Sequence, residues 1–192
     1  QYSIAHYQER LARIREAVPG IALSTDVIVG FCGETDEEYA DTTRLLEAVR
    51  YDQVFAAAYS ERPGTPATRL ADDVPAAVKR QRLVDLLAAQ EAIGLERNRA
   101  WMDRIAEVLV DAVVPARGHD HDGEADPDAE EPAGTSTSRN AFANLPAGIA
   151  HLVGRSRENK LVHVAGAPSL LGTTIAVRIE HAGPYALRGT LA

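Results

Sequence analysis

The stretch "DVIVGFCGETDEEY", residues 26–39, decides how the first half of the chain is read. A β-branched run, Val27, Ile28 and Val29, stops at Gly30, and Gly33 follows three residues later. β-Branched side chains favour extended backbone, whereas glycine tolerates the left-handed turn that ends a strand. Thr35 and Glu38 then form the pattern in which a hydroxyl and a carboxylate each satisfy a free amide at a helix start. The segment reads as strand, tight turn and helix. The carboxyl end of such a strand is where α/β proteins place ligands.

Working outward, "IALSTDVIVG" (21–30) extends the strand upstream as a buried one. Before it, Tyr7, Leu11, Ile14 and Val18 recur at helical spacing over 3–18, an apolar stripe ended by Pro19-Gly20. Downstream, a helix over about 36–50 places Tyr39, Leu46 and Val49 on one face, and "QVFAAAYS" (53–60) reads as a second buried strand. "ERPGTPA" (61–67) is a loop. Pro75 opens a long helix to about Met102, with Leu83, Leu86, Leu87 and Ile93 facing inward. Helix–strand–helix–strand–helix is the rhythm of a parallel α/β sheet, here two strands wide. Such a sheet is expected to continue in sequence upstream of Gln1.

The second half changes character. Residues 104–114, 148–154, 160–165, 172–180 and 184–191 are short Val/Ile/Leu-rich stretches separated by glycines, the signature of a small antiparallel β-barrel. The fold class expected is therefore α/β followed by all-β. Between the first two of these stretches lies an acidic insert at about 117–146, with seven acids from Asp120 to Glu131 and no Lys or Arg among them. Composition of that kind reads as a disordered loop. A metal site built from His119, His121 and the acids is the sharper reading, but the Asp120-x-Asp122-Gly123 order does not follow calcium-loop spacing.

At 192 residues, 45% of them hydrophobic, there is material for one large or two small cores. One cysteine excludes an internal disulfide framework and fits a reducing, cytoplasmic setting. No run of about 18 apolar residues is present, so no membrane partner is expected. The net charge of −8 argues against nucleic acid until it is located. From Gly148 onward five basic residues, Arg155, Arg157, Lys160, Arg178 and Arg188, face two acids, Glu158 and Glu180. The barrel is locally basic, and "GRSRENKL" (154–161) concentrates that charge in a turn between strands. A solvated polar face is the plain alternative. RNA is the nucleic acid expected, because reading DNA by sequence calls for a helix that this region lacks.

Two stretches carry a family resemblance. "GIALSTDVIVGFCGETDEEYADTTRLLEAVRYDQVFAAAYSERPGTPA" (20–67), with "VPAAVKRQRLVDLLAAQEAIGLERNRAWMD" (74–103), resembles the C-terminal part of the radical-SAM methylthiotransferases. "GRSRENKLVHVAG" (154–166) and "LLGTTIAVRIEHAGPYALRGTLA" (170–192) resemble that family's TRAM domain, a small OB-like RNA-binding barrel. "YSERPGTPA" (59–67) is most similar to the branch acting on dimethylallyladenosine in tRNA; sister branches act on threonylcarbamoyl-adenosine or a ribosomal protein. The resemblance implies residues 1–102 as the end of a TIM-like, partial radical-SAM barrel and 103–192 as TRAM. It also implies S-adenosyl-L-methionine, two [4Fe–4S] clusters, and a tRNA anticodon stem-loop whose adenosine 3′ of the anticodon receives a methylthio group. Carried onto this sequence, it makes Val29, Gly30, Gly33, Glu34 and Arg62 the cofactor-contacting candidates, and Arg155, Arg157, Lys160, Arg178 and Arg188 the RNA-contacting ones. The family ligates one cluster through Cys-x3-Cys-x2-Cys and another through three more cysteines. With one cysteine, Cys32, standing where the family usually has proline, this chain supplies neither ligand set and no catalytic residue. The expectation is a fragment that is inactive alone. A stand-alone RNA-binding module is the competing reading.

Overall fold

In the computed structural model, which describes residues 3–114 and 141–192, the chain divides into two units, residues 1–94 and 95–192. The division falls inside the long helix, upstream of the boundary at 102/103 expected from the sequence.

In the first unit, the Ser3 hydroxyl accepts from the His6 amide and starts α1 (Ile4–Ala17). β1 (Ser24–Val29) follows, then α2 (Asp36–Val49), β2 (Gln53–Ala58), a 3-10 turn (Pro66–Arg69) and α3 (Ala76–Arg99), which runs on into the second unit. The capping box at Thr35 and Glu38 forms as expected. β1 and β2 pair in parallel, Ser24 opposite Gln53 through Val29 opposite Ala58. Leu11, Val29, Leu46, Val49, Tyr51, Val54, Leu86 and Ile93 make the core.

Three expectations change here. The strands are not buried on both faces: Ile28 is 58% and Phe55 54% exposed. The residues of this core come from one side of the sheet, and alternate side chains of a strand point to opposite faces. Ile14 on α1, Val18 at its C-terminal cap and Leu87 on α3 are exposed, because only the part of each stripe that meets this small sheet is covered.

In the second unit, β3 (Ile105–Val114), β4 (Ala150–Ser156), β5 (Leu161–Gly166), β6 (Thr174–Ala182) and β7 (Leu187–Leu191) close into a barrel in the order β3-β4-β5-β7-β6. The barrel is mixed rather than antiparallel throughout, since β5 and β7 run parallel. Ala106, Val108, Val110, Leu152, Val162, Val164, Val177, Ile179 and Leu187 fill it, with Trp101 packed against them. The acidic run and the metal reading at His119 and His121 lie outside the described residues. Beyond that run, Phe142 stacks on His151 at 4.1 Å and 11°.

Candidate functional site

The turn after β1 is held from within. Gly30 and Gly33 both adopt positive φ, 71° and 81°. The Gly30 amide donates to Glu34 Oε2 at 2.6 Å, and the Gly33 amide to Asp73 Oδ1 at 2.7 Å. The Tyr59 amide donates to the Val29 carbonyl at 2.8 Å. From α3, Arg82 donates through Nη1 to the Glu34 carboxylate at 2.7 Å and to its carbonyl at 3.1 Å, and through Nη2 to Asp36 at 2.7 Å. Lys79, also buried, pairs with Asp72 and lies 5.0 Å from the Tyr59 ring centre. Tyr59 in turn meets Phe31 edge-on, with ring centres 5.0 Å apart.

The five cofactor candidates are thus placed differently. The Val29 side chain is fully buried in the core. Gly30 lacks a side chain because Lys79 fills the space a Cβ would need, so its close neighbour is a lysine of the chain itself. Glu34 is committed to Gly30 and Arg82. Only around Gly33 is the space for a Cβ open, and Arg62 is exposed with no side-chain partner among the described residues. Asp72, Asp73, Lys79 and Arg82 form the support for this turn, which local sequence reading missed. Asp73, Arg82 and Lys79 lie 40, 48 and 49 residues from Gly33, Glu34 and Gly30, with Asp72 holding Lys79, and the only signal was an Asp-Asp pair before Pro75 and two cations three apart on α3.

On the barrel, the register separates the basic candidates. Arg155 lies opposite Leu109, Leu109 opposite Thr174, and Arg178 opposite Ile105. Arg157, just past the end of β4, reaches Glu107 on β3 at 2.5 Å. Arg155, Arg157 and Arg178 therefore share the outer face of β4–β3–β6. Arg188 lies between His163 and His181, on the β5–β7–β6 side. Lys160 is 8% exposed, which removes it from the surface set that the turn sequence implied.

Two imidazoles on the outer side of β4 and β5 are unusually enclosed. His151 Nε2 and His163 Nδ1 are 2.8 Å apart, His163 is 1% exposed, and its Nε2 has no partner among the described residues. Burial lowers the pKa of His151; burial and then its neighbour His151 push His163 down to about 4. A folded pKa below the unfolded value means that the unfolded chain binds more protons between pH 6.5 and 4. The stabilisation is complete above about pH 6.5 and is lost as pH falls towards 4. Barrel stability should fall by on the order of 2 kcal/mol between pH 7 and pH 5. Urea titrations followed by the fluorescence of Trp101, the chain's one tryptophan, provide the check, and His163→Gln should shrink the loss.

No family model matches the chain. Among curated proteins it is similar along its whole length to tRNA-2-methylthio-N(6)-dimethylallyladenosine synthases. Identity is 35% over 99% of the chain for that of Sulfurihydrogenibium sp., 36% over 99% for that of Alkalilimnicola ehrlichii, and 35% over 100% for that of Bacillus cereus strain B4264. The chain spans about a third of the length of these relatives, 36%, 36% and 31% respectively.

Proposed function

We propose that the chain belongs to the tRNA-2-methylthio-N(6)-dimethylallyladenosine synthase family and forms a portion of a tRNA methylthiotransferase. The observation that carries this is the end-to-end similarity, which takes in both units in one order. The first unit would be the end of a radical-SAM partial barrel. Its support is the open sheet face bearing Ile28 and Phe55, and a cleft of about 390 Å³ along β1 lined by Thr25 to Ile28, where a larger sheet would continue. The second unit would be a TRAM-type barrel holding the anticodon stem-loop of tRNA in the cytoplasm. Among the described residues no helix is long and apolar enough to cross a membrane.

The residues present fit S-adenosyl-L-methionine as a wall, not as a complete clamp. The open side of Gly33 and the exposed Arg62 remain available, while Val29, Gly30 and Glu34 keep the turn in shape. When bound with its cluster, that cofactor supplies a radical able to abstract hydrogen. This chain's part would be to hold the rim rigid and to present a cation at Arg62 to a carboxylate. One cysteine does not fit the ligation of either [4Fe–4S] cluster.

RNA binding is the part that the chain can be tested for directly. Each phosphate contact on a single strand adds about 0.7 to the slope of log affinity against log salt. Joint replacement of Arg155, Arg157 and Arg178 by Ala should weaken anticodon stem-loop binding and lower that slope by up to about 2. Fluorescence anisotropy at several salt concentrations measures both. Unchanged affinity and slope would return these arginines to an ordinary solvated face.

A further inference from the structure

The outer face of β4–β3–β6 is not the polar surface that a solvated strand face usually presents. Ile105 is 54% and Leu109 50% exposed. The barrel's own pleat places both outward, because Ala106, Val108 and Val110 between and beside them fill the core. Each aliphatic side chain stands directly across from an arginine: Leu109 from Arg155 on β4, Ile105 from Arg178 on β6. Glu107, the acid between them on the same face, is paired with Arg157. The carboxylate at the centre of the face is therefore already matched by a cation, and the exposed acids Asp111 on β3 and Glu180 on β6 lie towards its ends.

Two aliphatic side chains, each flanked by a cation and lying about 13 Å apart along one strand, suit a ligand that alternates apolar planes with negative charge. Single-stranded RNA has that chemistry. Its unstacked bases can lie against apolar side chains while the phosphates meet the arginines. A duplex hides its bases and would leave Ile105 and Leu109 uncovered. We infer that Ile105 and Leu109 are base-contacting residues for single-stranded RNA, and that this face, not the β5–β7 side bearing Arg188, carries the strand. The inference rests on the RNA-binding reading above and adds the part of the affinity that does not depend on salt.

The test uses the same stem-loop titration with Ile105→Thr/Leu109→Thr, which puts a β-branched, strand-favouring residue at both positions, and with Leu109→Gln alone. Trp101 fluorescence verifies that each variant retains the barrel's melting behaviour. The double variant should lose at least fivefold in affinity at every salt concentration with an unchanged slope, and Leu109→Gln should lose part of that. An unchanged affinity in both variants overturns the inference. So does a loss accompanied by a lower slope, since the effect would then run through the arginines. If sedimentation shows the wild type to be a dimer that the variants split while RNA affinity holds, the face belongs to a second copy of the chain and the inference falls. If the arginine variant flattens the slope and the aliphatic variants do nothing, RNA binding stands and only this assignment fails.

Discussion

Arg82→Ala is expected to destabilise the first unit by about 3 kcal/mol, the low end of what removing one partner from a buried ion pair costs. Arg82 and Glu34 have side chains only 7% and 12% exposed, so the carboxylate left behind could not be rehydrated without opening the turn. Asp36, whose side chain is 99% exposed, would lose a partner at little cost, which is why the low end is chosen. Burial works against the Arg82 charge, yet hydrogen bonds to Asp36 and Glu34 more than compensate and raise its pKa. Arg82→Lys should recover only part of the loss, because an ammonium cannot span two carboxylates and a carbonyl as the guanidinium fork does. Urea denaturation followed by far-UV circular dichroism measures both variants. A loss below about 1 kcal/mol for Arg82→Ala would mean that water replaces the guanidinium and that the pair is effectively superficial.

Gly189→Ala should destabilise the barrel by about 3 kcal/mol or more, as overpacking against backbone does when neither side can yield. A Cβ at Gly189 would sit inside the contact distance of the Arg178 carbonyl oxygen and crowd Val177. β7 is held on both sides at this point, by Ile179 on β6 and Val164 on β5, so it cannot shift away without breaking a ladder. Gly148→Ala serves as the comparison. Its φ is 82° and nothing lies within 4 Å of the added methyl, so only backbone strain of about 1 kcal/mol is expected. Urea titration by Trp101 fluorescence separates the two. Equal losses would show that the close approach of β6 and β7 relaxes freely.

Local pattern by itself determined the elements. The strand–turn–helix of residues 26–39, the capping box at Thr35, the long helix after Pro75 and the five strands of the second half all form where periodicity, glycines and prolines place them. These depend on contacts a few residues apart, which a linear sequence records. The family was legible for a related reason: the order of its motifs spans the whole chain, and relatives similar over that length bear it out.

Only the tertiary structure decided which groups meet across long separations. It showed that β5 and β7 run parallel, that Ile28 and Phe55 stay open, and that Lys160 is buried although Arg155, Arg157 and Asn159 in "GRSRENKL" are exposed. It assigned the missing side chain of Gly30 to Lys79, 49 residues away, and committed Glu34 to Arg82. It also divided four arginines, Arg155, Arg157 and Arg178 against Arg188, between different sides of one barrel. Strand order and register fix those neighbours, and both arise from packing and closure of the whole sheet rather than from any local preference.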